Sequence, residues 1–440
     1  MSGTSYPLTE EESIPAGCNL IEQMVERDNM MLALKRVMQN KGAPGVDRLS
    51  VSDLPDYLRN RWQHIKGQLL GGKYIPMPVR RVEIPKPDGG KRKLGVPTVL
   101  DRLIQQAMSQ ILVPLFDPHF SESSYGFRPG KSAHQAVLQA QSYQHEGKRW
   151  VVDMDLAKFF DEVNHDILMS RVGRRVKDRN MLYLIRRYLQ SGVMHGGVVG
   201  RTVKGTPQGG PLSPLLSNIM LDDLDKELEQ RGHRFCRYAD DCNIYVNSRR
   251  SGERVLESVS GYVEGKLKLK VNRDKSAVGR PWTRTFLGYS FTFHKRCKVR
   301  VAPKSQKRFR AHLKRMFRMG RGRNLRKFIV EDLNPILRGW INYFILAETK
   351  GFAEELDKWI RRRLRLILWR QWKRPWTRFK KLMQFGIPEE RAAISAFNGR
   401  GPWFNSGAPH MNQALRKKHF GNAGLFSLLD QLHQCRTKLV

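Results

Sequence analysis

Two acidic clusters stand out in a basic chain. The first lies in Val151-Val152-Asp153-Met154-Asp155-Leu156, and the second in Tyr238-Ala239-Asp240-Asp241-Cys242. Both fall in β-prone runs. An Asp-Asp pair at a hairpin tip is repulsive unless a cation neutralises it. A third carboxylate from a neighbouring strand completes a set that suits two Mg2+ ions, which take a few carboxylates together with substrate phosphates. Such a metal pair clamps the attacking and leaving oxygens of an in-line displacement. Taken alone, Asp-Asp is an ordinary turn pair. The strands on either side, the preceding Asp-bearing strand and the charge of the whole chain favour the metal reading.

That charge is large. The 440 residues hold 79 Lys and Arg against 41 Asp and Glu, a net +38, and 40% are hydrophobic. The length suggests two or three modules with sizeable cores. The charge points to a polyanion, most simply nucleic acid. It is unevenly spread: residues 296–382 hold 27 bases and six acids, whereas residues 1–30 hold six acids and one base. Met1 to Glu12 is polar and acidic, so no signal peptide is expected. No apolar run is long enough for a membrane span. Cysteines 18, 236, 242, 297 and 435 are scattered without a C-x2-C pair, against a zinc module or disulfide framework and in keeping with a reducing cytoplasm.

Periodicity places the acidic clusters on elements. Trp150 to Asp155 reads as a strand. Phe235 to Tyr238 and Asn243 to Val246 read as two strands joined by a tight link. Leu215 to Gln230 has helical spacing, as do Asn29 to Gln39 and Asp101 to Leu112. Val79 to Pro85 and Lys93 to Val96 flank Pro87-Asp88-Gly89-Gly90, a hairpin signal, and Phe286 to Phe293 reads as one more strand. From Ser305 onward the pattern is helical. Leu356, Ile360, Leu364 and Ile367 form an apolar stripe, with Arg361, Arg362 and Arg365 mostly off it.

With these residues in place, a family resemblance follows. Tyr238-Ala239-Asp240-Asp241 on a hairpin resembles palm motif C of reverse transcriptases. Asp155, followed five residues later by Phe160, resembles motif A. The resemblance implies Asp155, the adjoining Leu156, Asp240 and Asp241 at the metals, which would be two Mg2+ ions with Mn2+ as a substitute. It implies Phe160 as the steric gate that rejects a 2′-hydroxyl. Thr206-Pro207-Gln208-Gly209-Gly210-Pro211-Leu212-Ser213-Pro214 is similar to motif B, with Gln208 lining the dNTP pocket. Ile84 to Arg92 resembles the fingers hairpin, whose Lys86 and Arg92 would grip the triphosphate. Ser124-Tyr125-Gly126-Phe127-Arg128-Pro129-Gly130-Lys131-Ser132 resembles the next block, with Arg128 as a nucleic-acid contact; the three residues between its glycines are one short of a P-loop. Val271 to Ser276 resembles motif D, where Lys275 would protonate or steady the pyrophosphate.

Leu333-Asn334-Pro335-Ile336-Leu337-Arg338-Gly339-Trp340-Ile341-Asn342-Tyr343 resembles the maturase X, or thumb, domain of group II intron enzymes. The block Gly42 to Asp47 resembles their N-terminal element over the template. The implied fold is α+β: right-hand fingers and palm with an antiparallel palm sheet, then an α-helical thumb and a small C-terminal DNA-binding region. The implied boundaries are 1–28 for an N-terminal extension, 29–295 for fingers and palm, 296–385 for the thumb and 386–440 for the DNA-binding region. Arg361, Arg362 and Arg365 would face nucleic acid. Trp403 could serve the DNA-binding region or act as a buried anchor. Many relatives carry a Cys/His-rich endonuclease. Its paired cysteines are missing here, so an endonuclease-lacking, class C-like bacterial member is expected.

The implied function is RNA-directed DNA synthesis with assistance to intron splicing and retrohoming. Partners would be an RNA template with DNA or RNA primer, dNTPs, group II intron RNA and target DNA, without a membrane. The chain would be a monomer or dimer in the cytoplasm, at the nucleoid when acting on DNA. The alternatives are a splicing-only RNA-binding maturase and a domesticated relative in DNA repair or phage defence.

Overall fold

The computed structural model describes residues 19–85, 90–195, 198–200, 204–206 and 209–437. Lys86, Pro207, Gln208 and residues 1–18 of the expected extension therefore lie outside the described residues. The chain divides at Arg280/Pro281 into two compact units.

The first unit is built on two four-stranded sheets. One joins β1 (Val79–Pro85) and β2 (Lys91–Val96) as an antiparallel hairpin, then β4 (Val193–His195) parallel to β1, then β5 (Val198–Gly200). The other has the order β6 (Arg234–Tyr238), β7 (Asp241–Val246), β3 (Trp150–Asp155) and β8 (Ala277–Gly279), with every pairing antiparallel. Its central strands are the apolar ones: Val151, Val152 and Met154 of β3 and Ile244, Tyr245 and Val246 of β7 are buried. Strands with buried residues at successive positions need cover on both faces. The helices Ala133–His145 and Arg249–Gly265 pack against this sheet. The first of these starts at a capping box in which the Ser132 and Gln135 side chains satisfy each other's backbone N–H groups.

A second core layer forms around the helix Val99–Phe116, whose Leu103, Ile104, Ala107, Met108 and Leu112 are fully buried. Beneath its Thr98 cap lies a buried carboxylate. Asp101 accepts hydrogen bonds from the hydroxyls of Thr98 (2.7 Å), Tyr74 (2.8 Å) and Tyr188 (3.1 Å) and from the Met77 N–H (3.2 Å). Burial pushes its pKa up against these donors. The four bonds tie the lead-in to β1 to the helix Arg179–Gln190 that leads to β4.

The second unit is helical apart from the short hairpin β9 (Tyr289–Phe291) and β10 (Val299–Val301). The strand expected over Phe286–Phe293 is shorter, because Leu287 (φ 51°) and Gly288 (φ 80°) are both left-handed and break it. The turn lets Tyr289 pack on Tyr343 and Phe344, with ring centroids 5.8 and 5.0 Å apart. Trp340, in the string resembling the X domain, stacks on Phe309 at 4.5 Å.

Residues beyond 385 share this unit's core. Leu337, Leu356, Ile360 and Leu364 belong to one hydrophobic cluster with Met411, Leu415, Phe420 and Leu428. Polar ties reinforce it. Buried Asp357 accepts from the N–H groups of Leu428 (3.1 Å) and Leu429 (3.2 Å), and Asn334 bonds Gly424 and Phe426. No helix among the described residues is long and apolar enough to cross a membrane.

Candidate active site and nucleic-acid interface

The palm sheet brings the two acidic clusters together by register. Asp155, at the end of β3, stands opposite Asp241, the first residue of β7. Tyr238 pairs with Asp241 across the β6–β7 hairpin, leaving Ala239 and Asp240 as its two-residue turn. Ala239 has a φ of 58°, a left-handed conformation usual in such turns but unusual for a residue with a Cβ. Asp153 lies two residues before Asp155, so its side chain leaves the same face of the strand.

The electrostatics are those of crowded carboxylates. Burial, with Asp153, Asp240 and Asp155 nearby, pushes the Asp241 carboxyl up to about 8. Asp240 is raised too, first by burial and then by Asp155, with Arg92 and Arg237 working the other way. A divalent cation reverses this logic by pairing with the charged forms. Hard oxygen donors in this number fit Mg2+ or Mn2+. Among the described residues, no three His, Cys, Asp or Glu side chains close into a ready-made cage.

Asp155 is held from its other side by the segment before β8. Asn272 donates from Nδ2 to Asp155 Oδ2 at 2.8 Å and from its backbone N–H to the Asp155 carbonyl at 2.9 Å. Ser276 Oγ accepts from the Asp155 N–H at 3.0 Å, and Lys275 Nζ lies 4.0 Å from Asp155 Oδ2. Leu156 bridges Val271 in antiparallel fashion; as a leucine it could offer a metal only its carbonyl. Sequence reasoning singled out Lys275 and missed Asn272, three residues away in the same quoted string.

Phe160 is the second residue of the short helix Phe159–Glu162. Its ring is half-buried and packs edge-on against Phe159 at 5.2 Å. Its carbonyl accepts from the Thr206 N–H at 2.7 Å. Gly205 (φ 94°) passes so close that a Cβ there would stand 2.9 Å from the Phe160 and Asp161 carbonyls. Beyond Gln208, a Cβ on Gly209 (φ 126°) would stand 2.6 Å from the Gly95 carbonyl of β2, and one on Gly210 2.2 Å from Gln105 Oε1. The segment resembling motif B is thus clamped at both ends by described residues. Arg92 lies exposed on β2, opposite Ile84.

Two arginines correct the sequence expectation. Arg128 is buried: its guanidinium pairs with the Asp117 carboxylate at 2.8 Å and donates to the carbonyls of Ser121, Ser124 and Asp117. Arg365 is also buried and donates twice to the Leu415 carbonyl, at 3.0 and 3.1 Å. Burial, with Arg361 adding to it, pushes Arg365 down to about 10. Both cations brace the fold rather than face a phosphate. Arg361 is half-buried; Arg362 lies over the Trp403 ring at 4.0 Å and donates to its carbonyl at 3.2 Å. Arg363 reaches the same ring at 4.6 Å, and Trp403 remains 42% exposed, so it is a cation–π platform rather than a buried anchor.

The stronger basic face is elsewhere. The helix Pro303–Met319 contains no acid. It buries Phe309, Leu313 and Phe317 and exposes Lys304, Lys307, Arg308, Lys314, Arg315 and Arg318.

Comparison with known proteins agrees with this chemistry. Residues 84–291 match the reverse transcriptase (RNA-dependent DNA polymerase) family, and residues 306–386 match the group II intron maturase-specific domain. The protein YkfC of Escherichia coli K12 is 34% identical over 299 residues, covering 59% of this chain and 78% of YkfC. The group II intron-encoded protein LtrA of Lactococcus lactis is 37% identical over 220 residues, covering 50% of this chain and 36% of LtrA. Among solved structures, a partial Cas6-RT-Cas1–Cas2 complex overlaps 56% of this chain and 43% of its own chain, at 25% identity and a TM-score of 0.37. The chain belongs to the group II intron reverse transcriptase/maturase family.

Proposed function

We propose that this chain is an RNA-directed DNA polymerase that copies RNA into cDNA and also assists splicing and retrohoming of a group II intron. The observation that carries this reading is the β3–β7 register, which sets Asp155 against Asp241 with Asp240 in the adjoining turn.

Asp155, Asp240 and Asp241 would hold the divalent metal, Mg2+ or Mn2+, with the Leu156 carbonyl beside them. Bound there, the metal supplies charge that favours the attacking 3′-oxygen and the departing pyrophosphate. The remaining work falls to the chain itself. Asn272 fixes the Asp155 carboxylate. Lys275, whose Nζ lies 4.0 Å from Asp155 Oδ2, would protonate or steady the pyrophosphate. Lys86 and Arg92, from the fingers hairpin, neutralise the triphosphate, and Gln208 lines the nucleotide pocket. The Phe160 ring meets a 2′-hydroxyl and excludes it.

The exposed cations of Pro303–Met319 hold an RNA-containing duplex by its backbone, without reading sequence. Neutralising Lys314 and Arg318 together is expected to weaken duplex binding equally for all sequences. It should flatten the dependence of log affinity on log salt by about 1 per charge removed. Arg365→Met is expected to lower the melting temperature by several degrees and leave that salt slope unchanged, because its bonds are internal. Fluorescence anisotropy across a salt series, beside thermal melts, separates the two behaviours.

Primer extension on an RNA template with dNTPs and Mg2+ tests the main reading. The wild-type protein should extend the primer and Asp240→Asn should not, while both bind RNA. Failure of a folded, RNA-binding wild type to extend under any divalent metal would leave a splicing-only maturase.

A further inference from the structure

The turn that carries Asp240 is held by a charge buried completely inside the first unit. Arg237 lies on β6, one residue before Tyr238, and both it and its partner Asp225 have side chains with no exposure at all. A guanidinium is seldom buried so fully unless its donors are satisfied. Here they are. Nε donates to Asp225 Oδ1 at 2.6 Å, and one Nη donates to Asp225 Oδ2 at 2.5 Å and to Ser124 Oγ at 2.7 Å. The other Nη donates to Asn218 Oδ1 at 3.0 Å and to the Ala239 carbonyl at 2.9 Å.

The last of these bonds is the informative one. Ala239 is the left-handed residue of the catalytic turn. Its carbonyl is fixed by a group anchored on the helix Ser213–Gln230, which supplies both Asn218 and Asp225. Backbone also closes on the turn. A Cβ on Gly126 would stand 2.3 Å from the Ala239 nitrogen. Gly126 itself is held through its carbonyl by Asn218 Nδ2 at 2.8 Å. Arg237 and the 123–125 strip also exchange backbone bonds, Arg237 N–H to Ser123 and Tyr125 N–H to Arg237, each at 2.9 Å. The strip is pinned in turn by buried Arg128, which donates to the Ser124 carbonyl at 3.0 Å.

We propose that Arg237 is a positioning residue. Held by Asp225 and Asn218, its guanidinium fixes the Ala239 carbonyl and so keeps the strained turn that sets Asp240 and Asp241 toward Asp155. The pair touches neither substrate nor metal and acts through the turn. This inference rests on the proposed polymerase reading of the same carboxylates.

Arg237→Lys keeps a positive charge beside Asp225 but cannot span Asp225, Asn218, Ser124 and Ala239 together. The probe is Mn2+ alone, followed by electron paramagnetic resonance on the full chain without nucleic acid, beside primer extension well below each variant's melting temperature. The half-saturating Mn2+ concentration is expected to rise about tenfold. Turnover at saturating metal and dNTP should fall about 100-fold, the scale of a misplacement near 1 Å, while the KM for dNTP stays within about threefold. Adding Ala239→Gly should restore a large part of the loss, because glycine adopts positive φ without a Cβ penalty. A merely structural pair predicts no such rescue. If Arg237→Lys does not fold, Asn218→Ala leaves the charge pair whole and should move metal affinity and turnover in the same direction by less. Wild-type metal affinity and turnover in whichever of these variants is folded, or no gain from Ala239→Gly, overturns the proposal. An inactive wild type that still binds Mn2+ at these carboxylates would instead overturn the polymerase reading and leave the positioning role to be read from metal affinity.

Discussion

Asp241→Asn is expected to abolish nucleotide incorporation and, in the same protein, to raise the melting temperature in the absence of metal. The two effects have one cause. Asp241 is gathered with Asp153, Asp155 and Asp240 at the end of the palm sheet, and both burial and its neighbours disfavour its charge. With its carboxyl raised to about 8, Asp241 must take up a proton to fold near neutral pH, and an amide of nearly the same shape removes that cost. The relief is on the order of 1–3 kcal/mol, a shift of a few degrees for a unit of this size. If Asp241 holds the metal as proposed, the same substitution removes that ligand, and incorporation should fall at least about a thousandfold, equivalent to ~4 kcal/mol of barrier. Thermal melts with and without Mg2+ check the pairing. Mg2+ should raise the wild-type melting temperature by binding only the folded state, and the variant should lose that increment. A variant that melts lower than wild type without metal, or one that incorporates nucleotide within tenfold of wild type, contradicts the assignment.

This opposition between stability and activity explains what could and could not be read from the chain. The strands and the turn that carry Asp155, Asp240 and Asp241 were legible because the information is local. An Asp-bearing strand, an Asp-Asp turn and alternating β-prone flanks are all short-range patterns, and β3 and β7 formed where those patterns lie. The devices that hold the carboxylates were not legible. Arg237 reads as one more cation in a basic chain, and Asp225 as one more acid on a helix. Their partnership exists only once β6 lies against that helix. Arg128 and Arg365 show the same limit from the other side, since charge is written in the sequence and burial is not. Both were read as facing nucleic acid, and both are consumed by backbone carbonyls.

The family matches, residues 84–291 and 306–386, fall on either side of the expected boundary at 296, while the packing divides a little earlier. The change in charge near residue 296 marks where a surface becomes basic, whereas the contacts divide at Arg280/Pro281, where packing changes. Likewise the 386–437 stretch looks separate by composition yet is joined to the helices before it by Asp357 and Asn334. The strand expected over Phe286–Phe293 had one available warning, Gly288, which takes the left-handed conformation together with Leu287. Cys236, Cys242 and Cys297 are buried.

Phe160→Ala is expected to relax sugar selection about 100-fold while dNTP incorporation stays within about tenfold of wild type. The expectation rests on which parts of Phe160 the fold uses. The carbonyl accepts from Thr206, and Gly205 packs against the same peptide, so the backbone secures the segment that leads to Gln208. Alanine preserves all of that. The ring contributes differently: it is half-buried and rests edge-on against Phe159, which is itself buried and keeps the hydrophobic floor in place. Removing the ring therefore opens volume without unpinning the loop. Discrimination by volume alone is worth about 1–3 kcal/mol, which sets the upper end near 200-fold. The ratio of kcat/KM for rNTP over dNTP, measured with each base, is the readout. If Phe160 only stabilised the segment, both nucleotides would lose incorporation together and the ratio would stay constant, removing this ring from sugar selection. Phe160→Tyr adds the internal control. It keeps the ring where a 2′-hydroxyl would meet it, so its ratio should remain at the wild-type value even if the added hydroxyl slows incorporation.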